Sequence, residues 1–176
     1  MTEKNESKEV LNIDNSLFEE EEDTLKDRYL TFHTGKQTYA VEIRYVTEII
    51  GIQKITKVPN IKKYIKGIIN LRGSIVPIID IRTRFNMPEI DYNERTCIIV
   101  VNINDTEVGL IVDEVSEVIN IPEDIQSSPP ETNKGTESRF ISGVSKISET
   151  IVIILDIYRL LYDEKHKQEV LANNNG

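Results

Sequence analysis

The chain has little of what catalysis requires. Its 176 residues include two histidines and one cysteine. His33 falls on an expected strand and His166 on a charged terminal helix, and neither has a cysteine or carboxylate at metal-ligand spacing. No glycine-rich phosphate loop occurs, since Gly67 and Gly73 belong to a hairpin with no helix following. No enzymatic activity, metal or cofactor is therefore expected. Cys97, inside "TCIIVVNI", has no partner for an internal disulfide and reads as a buried small hydrophobe. No apolar run approaches the ~18 residues of a membrane-spanning helix. The N-terminus, "MTEKNESKEV", is charged rather than signal-like, so a cytoplasmic protein without membrane insertion is expected. Basic residues are also in deficit, 21 against 30 acidic. Ten of the acidic residues and only four basic ones lie in residues 1–28, which include "FEEEED". Such a tail repels polyphosphate, and no basic stripe elsewhere compensates, so nucleic acid is disfavoured as a partner.

What the chain does contain is one unit written twice. A shift of 69 lays Tyr29–Ile52 on Ile98–Ile121 without a gap, and "VTEIIGI" meets "VSEVINI" with four identities in seven. A shift of 76 lays Gly67–Ile81 on Gly143–Ile157 with six identities in fifteen. Two ungapped matches in the same order mark an internal duplication. Strands are expected at Tyr29–His33, Gln37–Val41, Ile49–Ile55, Tyr64–Asn70 and Ser74–Ile79. The second copy adds Thr96–Ile103, Glu107–Val112, Val115–Ile121, Phe140–Ser145 and Thr150–Leu155. Five short strands per copy suit a small closed or half-closed barrel. The fold class is thus all-β, two five-stranded barrels with a groove between them and a C-terminal helix. Residues 1–28 read as a disordered acidic tail with a transient helix near Leu17–Lys26. The domain is expected over 29–162, with barrels at about 29–92 and 93–162, and 163–176 as a helix end and disordered tail.

Asp80 and Asp156 occupy equivalent positions, which invites comparison with the paired carboxylates of aspartic proteases. Those sites need Asp followed by Thr or Ser and then Gly, whereas Ile-Arg and Ile-Tyr follow here. Both aspartates read instead as caps of short helices. Arg82 and Arg159, near the helix starts, read as surface residues. The shared apolar pairs Ile75/Ile151, Val76/Val152 and Ile78/Ile154 read as core.

The copies part company at one hairpin. Asn70-Leu71-Arg72-Gly73 faces Lys146-Ile147-Ser148-Glu149, and Pro77 faces Ile153. Pro77 cannot donate to a ladder, so its strand is expected to be an edge or bulged. Gly73 permits a positive φ, which would turn Arg72 outward, and Glu48 is the nearest counter-charge. An Arg72–Glu48 pair at a barrel rim is therefore expected. An apolar edge beside a fixed charge suits a protein-binding surface.

The stretch "VPNIKKYIKGIINLRGSIVPIIDIRTRF" resembles the CheW family of chemotaxis coupling proteins, through Val58-Pro59, Gly67, Asn70-Leu71-Arg72-Gly73 and Pro77 to Arg82. The likeness extends over about residues 28–162. It implies two SH3-like barrels and an adaptor that joins membrane chemoreceptors to the histidine kinase CheA, with no catalysis. The implied receptor-tip groove uses Val46, Glu48, Ile49, Leu71, Arg72, Gly73 and Val118. The implied partners are the CheA regulatory domain and the receptor's helical tip, met by a chain that is a monomer when isolated and is recruited to receptor arrays. A protein-binding module of another two-component pathway is the alternative.

Overall fold

The computed structural model describes residues 24–129 and 136–162. Most of the expected acidic tail and the end beyond Tyr162 lie outside the described residues. Ten strands form: β1 (Arg28–Thr34), β2 (Gln37–Glu42), β3 (Val46–Gly51), β4 (Ile65–Leu71), β5 (Ser74–Asp80), β6 (Cys97–Ile103), β7 (Thr106–Val112), β8 (Glu114–Asn120), β9 (Ile141–Ile147) and β10 (Thr150–Leu155). Two short helices, α1 (Ile81–Arg84) and α2 (Ile157–Tyr162), follow β5 and β10. The fold begins earlier than the expected boundary after residue 28: Arg28 is in β1, and the Asp27 carbonyl accepts from Ile121 N–H at 2.8 Å.

The strands make two five-stranded sheets, ordered β8-β1-β2-β10-β9 and β3-β6-β7-β5-β4. Exchanging each strand for its counterpart in the other copy converts one order into the other, so the duplication in the sequence is a two-fold relation in the fold. The sheets nevertheless do not coincide with the copies. One is contiguous, from β3 to β7, and the other joins β1 and β2 to β8–β10. This corrects the expected division into barrels at 29–92 and 93–162. Self-similarity shows which segments are equivalent, but hydrogen bonding decides which ones pair: the β1–β2 hairpin joins β8–β10, and β6–β7 joins β3–β5.

Each sheet curls toward closure through a backbone bridge between its outer elements. Thr56, beyond β3, exchanges two hydrogen bonds of 2.9 Å with Ile68 of β4. Ser127, beyond β8, does the same with Val144 of β9 at 2.8 and 2.9 Å. Gly67 makes the first bridge possible. Its φ is +147°, and a Cβ there would lie 2.1 Å from the Thr56 carbonyl oxygen.

Alternation fixes what is buried. Val76 and Ile78 with Ile69, Leu71, Ile98, Val100 and Ile111 fill the contiguous barrel. Val152 and Ile154 with Tyr29, Ala40 and Ile121 fill the other. Ile75 and Ile151 point the opposite way and are 72% and 53% exposed. Their expected place in the core is thereby corrected; period 2 puts the neighbours of Val76 and Val152 outside. Cys97 is half-buried rather than buried, at the start of β6.

The largest core lies between the sheets. It draws Leu30, Phe32, Tyr39 and Val41 from one, Ile79, Ile99, Val101 and Leu110 from the other, and Phe85, Phe140, Ile157 and Leu160 from the helical connections. Phe85 stacks against Phe140 at 5.8 Å and meets Tyr39 at 5.3 Å. Asp80 and Asp156 cap α1 and α2, accepting from Thr83 N–H (3.3 Å) and Arg159 N–H (2.9 Å). Buried Arg84 ties the helices together: its Nε donates to the Leu160 carbonyl at 3.0 Å, and its guanidinium lies 4.0 Å from the Tyr64 ring and 4.5 Å from that of Phe140.

Candidate protein-binding surface

The β4–β5 hairpin turns on Arg72 and Gly73, with φ of +50° and +86°. Two consecutive positive φ values make the turn whose twist matches a tight hairpin. Asn70 holds it, its Oδ1 accepting from Gly73 N–H at 2.9 Å. Leu71 points inward and is buried in the contiguous barrel, while Arg72 points outward. Pro77 sits opposite Ile68, two pairs beyond the Asn70–Ile75 pair. The ladder between β5 and β7 covers only Ile78 to Asp80. In the second copy the equivalent ladder includes Ile153, the counterpart of Pro77. The missing N–H of Pro77 thus ends that ladder. β5 is an interior strand of its sheet but has a free edge from Pro77 outward, which refines the expected edge strand.

Glu48 faces this hairpin from β3, the outer strand at the other end of the same sheet. Arg72 donates twice to its carboxylate, Nη1 to Oε2 at 3.1 Å and Nη2 to Oε1 at 2.5 Å. The bidentate geometry fixes an angle as well as a distance. The Glu48 hydrogen bonds and negative charge hold the Arg72 guanidinium above its ordinary pKa. The side chain of Arg72 is 74% exposed, and that of Glu48 is 22% exposed. In the second copy Glu117 and Ser148 take these places; Ser148 keeps the positive φ of +54° without a cation.

The structure therefore joins Glu48, Leu71, Arg72 and Gly73 at one rim. The remaining three positions lie elsewhere. Val46 turns toward the central core. Ile49 lies on the opposite face of β3 from Glu48, and its counterpart Val118 lies on β8. Both are exposed. Ile49 pairs with Ile99 of β6 and Val118 with Leu30 of β1, and both partners belong to the central core. The two exposed apolar residues thus flank the seam between the sheets, one on each outer strand.

A second bidentate pair went unforeseen. Arg82 is mostly buried, which corrects its expected surface role: Nε donates to Asp113 Oδ1 at 2.9 Å and Nη2 to Oδ2 at 2.7 Å. Asp113 Oδ2 also accepts from Gly35 N–H at 2.8 Å. Burial pushes the Asp113 carboxyl up, but the bonds from Arg82 and Gly35 and the Arg82 charge outweigh it and hold the group below the usual carboxylate range. The partners are 31 residues apart, and no local pattern links them. Arg159 does lie on the surface, 3.5 Å from Asp156. Asp80 is buried and its Oδ2 accepts from the Tyr92 hydroxyl at 2.8 Å, so it is committed to structure. No cluster of three or more His, Cys, Asp or Glu able to hold a metal occurs among the described residues, and no helix there is long and apolar enough to cross a membrane.

With that geometry in place, comparison with known proteins is direct. The family model described as CheW-like domain matches residues 28–165. The chemotaxis protein CheW of Klebsiella aerogenes is 35% identical over 143 residues, covering 81% of this chain and 86% of that protein. The chemotaxis protein CheW of Bacillus subtilis is 36% identical over 145 residues, covering 82% and 92%. The crystal structure of the scaffolding protein TtCheW from Thermoanaerobacter tengcongensis matches with a TM-score of 0.70 and 34% identity, over 76% of this chain and 86% of that one. The chain therefore belongs to the CheW-like family.

Proposed function

We propose that this protein is a chemotaxis adaptor that couples membrane chemoreceptors to the histidine kinase CheA, so that receptor state controls kinase activity. The observation that carries the reading is the bidentate Arg72–Glu48 pair, set in a chain of this family at the rim of one barrel. The exposed apolar residues Ile49 and Val118 supply modest, reversible affinity for the helical tip of a receptor, and the ion pair fixes the approach angle. Signalling requires exchange, so contacts of small to standard size suffice, on the order of 1,000–1,600 Å². The regulatory domain of CheA is the second partner. The protein works without catalysing a reaction, as a cytoplasmic monomer recruited to receptor arrays.

Charge reversal at Arg72 tests the reading. Arg72→Glu places two carboxylates together on an exposed turn, which the fold tolerates, and the kinase response to receptor in reconstituted arrays should disappear. A normal response in a folded Arg72→Glu protein would remove this rim from the mechanism.

A further inference from the structure

The two outer strands that flank the seam are each anchored by one bidentate arginine–carboxylate pair. On β3 the anchor is Glu48, held by Arg72. β8 starts at Glu114, directly after Asp113, which Arg82 holds. Both arginines come from the same short stretch, "NLRGSIVPIIDIR", and the second copy reproduces neither. There Arg72 corresponds to Ser148, and Arg82 corresponds to Tyr158, which is exposed. The first copy thus supplies the clamp for both outer strands, one in each sheet.

The second clamp is the more enclosed, with side-chain exposures of 15% for Arg82 and 22% for Asp113. Asp113 also donates its backbone N–H to the His33 carbonyl at 3.1 Å and accepts from Gly35 N–H, so it grips both the end of β1 and the β1–β2 turn. Arg82 Nη1 in turn donates to the Pro88 carbonyl at 3.1 Å. An anchor is needed at this point. β8 pairs only with β1, and the ladder carries a register irregularity between Leu30 and Phe32. Thr31 bridges that irregularity, its hydroxyl donating to the Glu117 carbonyl at 2.8 Å and accepting from Glu117 N–H at 3.2 Å, so the strand is pinned at its middle as well as at its start. A slip by one residue would turn Val118 from the outer face to the inner one.

We propose that Arg82 is a positioning residue for the partner surface: its pair with Asp113 holds the edge strand β8 in the register that presents Val118 beside the seam. The effect on binding rests on the receptor reading given above; the effect on β8 does not.

The test uses the full chain, Asp113→Asn, and the double swap Arg82→Asp with Asp113→Arg. Backbone hydrogen exchange is followed in peptides spanning Glu114–Asn120, with β6 peptides as an internal control, and affinity for a receptor cytoplasmic fragment is measured alongside. Asp113→Asn should speed exchange in β8 by about tenfold while β6 stays protected, and weaken fragment binding by a similar factor. The swap restores the ion pair but neither the acceptor for Gly35 N–H nor the donor to Pro88, so it should recover part of both. Unchanged β8 exchange in Asp113→Asn, or uniform acceleration in β6 and β8 alike, would overturn the positioning role and leave a merely stabilising pair. Faster β8 exchange with unaltered affinity would retain the anchor but remove Val118 from the receptor surface, sinking the receptor reading at that residue.

Discussion

Removal of Phe85 probes how the two sheets depend on each other. This ring is 1% exposed and lies between Tyr39 of one sheet and Phe140 of the segment before β9. Truncating a buried phenylalanine to alanine costs about 3–5 kcal/mol in lost transfer energy and cavity formation. Two aromatic contacts disappear with it, each contributing about 0.5–1.5 kcal/mol, so Phe85→Ala should fall in the upper part of that range. In a domain of this size that is about a 15 °C drop in Tm, a large share of the ~5–15 kcal/mol that holds a typical domain together. The particular expectation concerns cooperativity. The central core takes residues from both sheets, so urea melting should remain a single transition with an unchanged m-value. Amides around Ile69 in the contiguous barrel and around Ile154 in the split one should lose protection equally. Two transitions, or loss confined to one barrel, would refute the view that the central core makes them one folding unit.

Three further outcomes follow from named contacts. Gly67→Ala forces a Cβ against the Thr56 carbonyl at a positive φ and should destabilise by about 3 kcal/mol or more in chemical melts, whereas Gly143→Ala, with its nearest contact at 3.2 Å, should cost far less. Asp113 is held below its unfolded pKa of about 3.9, so its contribution to stability is complete above that pH and is lost as pH falls through the lower folded value. Asp113→Asn should accordingly flatten the acid limb of the stability–pH curve, read from melts between about pH 2 and pH 5. Ile75→Ser, at a 72% exposed position, should leave Tm nearly unchanged, while Ile78→Ser in the same strand should unfold or severely weaken the protein.

Much of this architecture was legible from residue patterns. Strand β10 spans the expected Thr150–Leu155, and the two short helices start at the expected aspartate caps. The Arg72–Glu48 pair was also foreseeable, because a positive-φ glycine beside a lone turn cation leaves few places for that charge to go. β3 was expected three residues too late, at Ile49–Ile55; the apolar run "IIGIQKI" draws attention, but pairing with β6 starts at Val46 and the chain leaves the sheet after Gly51. The exchange of the β1–β2 and β6–β7 hairpins between copies left no trace, since a repeat encodes likeness and not partnership. Ile75 and Ile151 show a related limit: identity between copies follows from common descent and not from burial, and the alternation around Val76 and Val152 puts them outside. Arg82 looked like any arginine near a helix start, and only folding brings Asp113 to it.

The most direct measurement mixes the purified chain with a CheA regulatory domain and a chemoreceptor cytoplasmic fragment and follows their elution. An adaptor should appear in one peak with both, and Arg72→Glu should keep the kinase domain while losing the receptor fragment. A chain that elutes alone, binding neither partner at micromolar concentration, would contradict the coupling role.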